Sequence, residues 1–243
     1  MIVIDGKKIA EEILLRLKSL PKTGKFLAAV LAGDDPASVS FLKQKEKTAK
    51  ELGVDFRLYK FSADIKNDDL RDEVGKIAAH KTCGGVVVQL PLPEHINEQY
   101  ILNVVPREKD IDVLGERAIG AFYAGRNLVL PPAVGVLDEV LRVTGFVLRD
   151  LRVAVVGRGM LVGKLIATWL MDKVRELIVL GHSADLSILK EADLVISGVG
   201  KAGLIKPEFL KEDVLVIDFG YDEVHGKMHG DFDPGQLSTV NCQ

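Results

Sequence analysis

The chain has 243 residues, of which 47% are hydrophobic and 28% charged, and its formal net charge is −3. That length holds one large domain or two modest ones. The charge balance excludes a global positive field that would recruit nucleic acid. The two cysteines, Cys83 and Cys242, lie far apart and have no clustered histidine at ligand spacing. They imply neither a zinc site nor a disulfide framework, and they suit a reducing cytoplasm.

The opening Met1-Ile2-Val3-Ile4-Asp5-Gly6 meets an acid and then Lys7 and Lys8, which does not read as a signal peptide. No apolar run is long enough to span a bilayer. Amphipathic helices alternate with apolar strands along the chain, which predicts an α/β fold with parallel strands. The first half predicts helices over Lys8–Leu17, Ala37–Leu52 and Asp68–His80, and strands over Phe26–Leu31, Val54–Tyr59 and Gly85–Leu90.

In the second of these helices, a turn of roughly 100° per residue puts Phe41, Lys45, Thr48 and Leu52 on one stripe. Lys43, Lys47 and Lys50 fall on the opposite one, and Gly53 closes the helix. Lys45 is therefore predicted among inward residues. A lysine in a partly apolar cleft can move protons near neutral pH. The competing reading is a snorkelling side chain with its ammonium in water.

The third strand opens on Gly84-Gly85, runs through Val86-Val87-Val88 and meets the lone amide Gln89 where it should end. Pro91 and Pro93 follow, and neither can donate to a sheet ladder. A polar group on a rigid strand tip before a stiff exit is a common way for α/β folds to present site residues, although a satisfied core glutamine would look the same. After Pro106, Asp112 in Lys109-Asp110-Ile111-Asp112 sits on a loop. Its carboxylate could take two hydrogen bonds from a flat amino-heterocycle, or could stabilise a turn.

Leu128–Gly135, with Pro131 and Pro132, reads as the domain boundary, dividing 1–133 from 134–243. A helix over Val136–Val143 follows. The strands of the second series are predicted at Arg152–Val156, Leu177–Leu180, Leu194–Ser197 and Val214–Asp218. The first of them leads into Gly157-Arg158-Gly159 and, after four more residues, a helix near Leu165–Met171 that begins beyond Gly163. Strand, glycine turn and helix form the context of a dinucleotide fingerprint, here with its last glycine one residue late. A plain tight turn is the alternative. The next strand ends in Gly181-His182-Ser183 without the acid that binds ribose hydroxyls in NAD sites. Arg158, His182 and Ser183 are donors instead, which favours the 2′-phosphate of NADP; a merely solvated Arg158 is the other reading.

Taken in order, these pieces resemble the bifunctional methylenetetrahydrofolate dehydrogenase/methenyltetrahydrofolate cyclohydrolase family over nearly the whole chain. The likeness rests on Asp35-Pro36-Ala37-Ser38 with Lys45, Val88-Gln89-Leu90-Pro91-Leu92-Pro93, and Lys109-Asp110-Ile111-Asp112. It continues through Val156-Gly157-Arg158, Val162-Gly163, His182-Ser183, Val216-Ile217-Asp218 and Gly230-Asp231-Phe232-Asp233. The resemblance implies two lobes, an N-terminal folate-binding catalytic domain and a C-terminal Rossmann-type NADP-binding domain, with the active-site cleft between them. It implies that Lys45 is catalytic, that Gln89 bonds and tunes it, and that Asp112 anchors the pterin. It also implies that Arg158 and Ser183 hold the 2′-phosphate, in a cytoplasmic homodimer.

This chain departs from the family at several places. Phe41 replaces a tyrosine stacked on the pterin, keeping the ring face and losing the hydroxyl. Gly159 replaces a serine, Leu130-Pro131-Pro132-Ala133 replaces Pro-Cys-Thr-Pro, and Val113-Leu114 replaces Gly-Phe. The family's closing Thr-Pro-Val-Pro-Gly-Gly-Val-Gly-Pro loop, which lines the folate and nicotinamide site, and its return helix are absent before the chain stops at Gln243. That difference bears on hydride transfer more than on hydrolysis. A cyclohydrolase without the redox step, and a non-catalytic paralogue working through a partner chain, are the two rival expectations.

Overall fold

The structure, a computed structural model, describes residues 2–235 and the backbone of 240–241. Ser238, Thr239, Cys242 and Gln243 from the closing stretch read above lie outside the described residues. In chain order the elements are β1 (Ile2–Val3), α1 (Gly6–Lys18), β2 (Phe26–Ala32), α2 (Pro36–Glu51), β3 (Asp55–Phe61), α3 (Asn67–Ala79), β4 (Cys83–Val88), α4 (Glu98–Leu102) and α5 (Glu116–Tyr123). There follow α6 (Pro132–Thr144), β5 (Arg152–Val156), α7 (Gly163–Leu170), β6 (Glu176–Leu180), β7 (Leu194–Ser197), β8 (Leu215–Asp218), β9 (Asp222–Val224), β10 (Lys227–His229) and β11 (Val240–Asn241). The chain forms two compact units. One is Ala10–Leu130; the other is Met1–Ile9 together with Pro131–Gln243. Among the described residues no helix is long and apolar enough to cross a membrane.

The first unit is built on a three-stranded parallel sheet of order β3-β2-β4. β2 is central and almost wholly buried, as its Phe-Leu-Ala-Ala-Val-Leu-Ala sequence requires. α2 packs on this sheet through Leu42, which joins Ala29 and Leu31 in a buried cluster with Val39 and Phe56 beside it. Burying one such leucine contributes about 1.5–3 kcal/mol. The inward stripe of α2 is Ser38, Leu42 and Ala49, whereas Phe41 and Thr48 are exposed. The predicted stripe was therefore rotated by about one residue. Lys45 keeps a half-buried place at its edge, and Lys43, Lys47 and Lys50 are exposed. Leu42 shares this inward stripe with the small residues Ser38 and Ala49, and small side chains leave little hydrophobic signal in the sequence.

The second unit holds a four-stranded parallel sheet of order β6-β5-β7-β8. Its core gathers Ala154, Val156, Leu180, Leu189, Ala192, Val195 and Ile205. α6 begins at Pro132, earlier than the predicted Val136, with Pro131 as its cap residue. Proline fits the first helical position because its missing N–H is an unpaired group there anyway. In the first unit Gln89 follows the end of β4, Lys45 lies on α2 and Asp112 on the segment before α5; in the second, Arg158 follows the end of β5 and His182 and Ser183 follow the end of β6.

Candidate active site

α2 starts at a built cap. The carboxylate of Asp35 accepts the N–H of Ser38 at 2.8 Å, and Pro36 occupies the first helical turn. That bond holds the Asp35 carboxyl below its ordinary value. The cap orients the first turn so that Ser38 is buried, with its Oγ donating to the Leu90 carbonyl at 3.4 Å.

The same carbonyl accepts Nε2 of Gln89 at 2.8 Å. A carbonyl can only accept, so this bond fixes which end of the Gln89 amide is nitrogen. The oxygen, Oε1, then faces α2 and receives Nζ of Lys45 at 3.3 Å. Gln89 is buried and its backbone N–H bonds the Val30 carbonyl at 2.9 Å, which extends the β2–β4 ladder one step past β4. The Leu90–Pro91 peptide bond after it is cis. Two residues 44 apart in sequence are thus joined by a sheet end and a helix flank.

Asp112 is half-buried on the loop before α5. Burial raises its carboxyl above the ordinary value, and the charge of Lys45 pulls it partly back. Lys45 therefore lies within electrostatic reach of both Gln89 and Asp112. Phe41 is 45% exposed, one turn before Lys45 on the same helix.

Two contributors in this unit were not singled out from sequence. Ser38 was read only as part of a motif, and Asp110 only as a neighbour of Asp112. Asp110 is buried, and its Oδ2 accepts the N–H groups of Leu114 at 3.1 Å and Gly115 at 2.8 Å. A second acid two residues before Asp112 in the Lys-Asp-Ile-Asp run was the available signal.

In the second unit the dinucleotide loop is built by close approach of backbone. Gly157 has φ 103, and a Cβ there would lie 2.9 Å from the Gly198 carbonyl oxygen. A Cβ on Gly163 would lie 2.1 Å from the Gly157 oxygen. Gly159 differs: a Cβ there would meet nothing, so its bareness leaves open space above the loop. α7 begins at Gly163 with no side-chain cap, which leaves first-turn N–H groups for an anion.

Arg158 is exposed and its guanidinium covers Gly181, where a Cβ would fall 1.6 Å from Nη2. The fold therefore sets Arg158 at the end of β6, with His182 and Ser183 next in the chain. The next acid in the chain, Asp185, accepts the Ser187 N–H at 2.9 Å and its hydroxyl at 2.8 Å. A strand end rich in donors fits a phosphate better than a bare ribose hydroxyl.

Sequence reasoning placed Asp218 and Asp231 in motifs without roles. Asp231 is fully buried and accepts Ser197 Oγ at 2.6 Å and the N–H groups of Val199 and Lys201, each at 2.7 Å. Asp218 accepts the N–H groups of Gly220 and Phe232, each at 2.9 Å. These bonds tie the loop after β7, which abuts Gly157, to the segment carrying Phe232.

Two family models cover most of the chain. Residues 4–112 match the catalytic domain of tetrahydrofolate dehydrogenase/cyclohydrolase, and residues 131–242 match its NAD(P)-binding domain. The bifunctional protein FolD of Bacillus licheniformis is 35% identical over 241 residues, covering 95% of this chain and 84% of that protein. The crystal structure of the bifunctional methylenetetrahydrofolate dehydrogenase/cyclohydrolase FolD from Campylobacter jejuni superposes with a TM-score of 0.91 at 29% identity, covering 96% of this chain and 86% of that one. The Trypanosoma brucei enzyme, complexed with NADP and an inhibitor, gives 0.88 at 28% identity, covering 95% and 84%.

Proposed function

Because the chain belongs to the tetrahydrofolate dehydrogenase/cyclohydrolase family, we propose that it oxidises methylenetetrahydrofolate with NADP and hydrolyses the methenyl product to formyltetrahydrofolate. The observation that carries this reading is the Lys45–Gln89 pair, a protonatable amine held by a fixed amide at a strand end. In the hydrolytic step water attacks the methenyl carbon, and the ring C–N bond breaks. Lys45 moves a proton between that water and the leaving ring nitrogen. Gln89 holds the amine through Oε1 while its own amide is anchored to the Leu90 carbonyl.

Asp112 binds the pterin by accepting paired N–H groups from the amino-heterocycle, and Phe41 stacks on its face. The energetic cost of keeping Asp112 half-buried is repaid when those donors arrive. In the second unit the bare loop of Gly157, Gly159 and Gly163 would cradle the pyrophosphate of NADP. Arg158, His182 and Ser183 would take the 2′-phosphate. NADP, when bound, supplies the hydride acceptor. We place the enzyme in the cytoplasm as a homodimer; the acidic balance, and a Cys83 that is buried and free, suit that setting.

The test is NADPH formation by the purified chain supplied with methylenetetrahydrofolate and NADP⁺, followed by accumulation of formyltetrahydrofolate. Both products are expected. Formyl product made only from added methenyl substrate, with no NADPH, would reduce the function to hydrolysis. The absence of both, in a folded protein, would end the enzymatic reading.

A further inference from the structure

The loop that carries Asp112 contains a backbone conformation its residue disfavours. Val113 has φ 58 and is fully buried. A β-branched side chain is rarely found in the left-handed region, where its Cβ crowds the following carbonyl. Such a conformation persists only where the surroundings over-determine it.

Asp110 supplies the constraint. Its own backbone is tied to the sheet, by a bridge to Val86 of β4 and by its N–H bonding the Pro106 carbonyl at 3.0 Å. Its side chain reaches forward past Val113: Oδ2 accepts the Leu114 and Gly115 N–H groups, and Oδ1 shares that of Leu114. Room for the loop comes from β4 itself, since a Cβ on Gly85 would lie 2.7 Å from Cγ2 of Ile111. Asp112 is therefore strung between two fixed points, Asp110 and the left-handed Val113.

We infer that Asp110 is a positioning residue: its buried carboxylate clamps the Leu114 and Gly115 backbone, holds Val113 left-handed, and so sets Asp112 where Lys45 and the pterin need it. This rests on the reading of Asp112 as the pterin anchor. The clamp needs an acceptor oxygen and not a charge. Burial raises the Asp110 carboxyl while the backbone N–H groups of Gly115, Leu114, Val113 and Asp112 lower it, and an amide keeps one oxygen to accept from Leu114 and Gly115.

The experiment compares Asp110→Ala, Asp110→Asn and Asp112→Ala in the full chain, reading KM and kcat for methenyltetrahydrofolate hydrolysis. NADP⁺ affinity of the second unit serves as a fold control. Asp110→Ala is expected to raise the folate KM tenfold or more, on the order of what a 1 Å misplacement costs. Asp110→Asn should stay near the parent value, and NADP⁺ affinity should not change in either.

A parent-like KM in Asp110→Ala, with a raised KM in Asp112→Ala, would overturn the clamp and leave the pterin anchor standing. A parent-like KM in Asp112→Ala would overturn the anchor itself. An Asp110→Asn variant as impaired as Asp110→Ala would also overturn the clamp. Should Asp110→Ala not fold, Val113→Gly is added to it. Glycine takes φ 58 without strain, so the double variant should fold and recover folate binding. A double variant no better than the single one overturns the proposal.

Discussion

The two units present their sites at equivalent places and build them by opposite means. Each has a parallel sheet, and site residues follow the end of β4 in one and the ends of β5 and β6 in the other. In the first unit the working parts are side chains that touch one another: Lys45 on Gln89, Gln89 and Ser38 on one carbonyl, and Asp112 within the field of Lys45. In the second unit the working parts are mostly missing side chains, with Gly157 against Gly198 and Gly163 against Gly157. Buried Asp231 and the covering Arg158 add functional groups to that frame, with His182 and Ser183 next to Gly181 in the chain. Chemistry on a substrate needs particular atoms at particular points, whereas holding a pyrophosphate needs backbone N–H groups and room. The first site should thus fail when an atom is removed, and the second when one is added.

The strongest test of that contrast is Lys45→Met. Removing a positioned proton carrier should lower hydrolysis by about 10²–10⁴-fold, with NADP⁺ affinity unchanged. Hydrolysis near the parent rate would break the comparison at its centre. Next is Gly163→Ala, whose added methyl must displace the Gly157 carbonyl. Overpacking of this kind costs about 1–3 kcal/mol, so NADP⁺ titration should show binding weakened about 10- to 100-fold while hydrolysis survives. Unchanged binding would mean that the loop is not a close-packed cradle.

Arg158→Ala sharpens the comparison, because it removes an atom group from the unit otherwise built of space. A charge-assisted bond contributes about 1.5–3 kcal/mol, so NADP⁺ binding should weaken by about tenfold or more, with NAD⁺ binding unaffected. Equal weakening of both would take the 2′-phosphate away from this residue. The smallest expected effect concerns stability. Burial raises the Asp112 carboxyl above its unfolded value, so the protonated form is favoured by folding and that contribution is lost as pH rises through the folded value. Asp112→Asn should therefore raise the melting temperature at neutral pH. The gain should shrink to nothing as pH falls below the unfolded carboxylate range. A gain that grew on acidification would reverse the assignment of cause, even as folate binding is lost.

Much of this was legible in the chain. Apolar β-branched runs marked the strands, and β5 and β7 fall on the predicted residues because strands buried on both faces leave continuous hydrophobic signals. Gln89 stood out as a lone amide ending such a run. The glycine loop was visible because only glycine permits φ 103 at Gly157 and the close approach at Gly163. The short helices α4 and α5 and the β9–β10 hairpin escaped, since a few residues carry too little periodicity to separate from loop.

Sequence by itself determined the alternation of strands and helices, the punctuation by glycine and proline, and the chemical types available at each loop. Tertiary structure alone decided which of these meet. It turned Phe41 and Thr48 outward and put Ser38 and Ala49 inward beside Leu42, the stripe that meets the sheet. It gave Asp110 and Asp231 their partners, all of them backbone N–H groups or hydroxyls that no side-chain pattern announces. And it held Val113 in a conformation its own side chain opposes, which needs neighbours distant in contact though near in sequence. Local preference acts over a few residues, while burial and hydrogen bonding act across whatever the fold brings together.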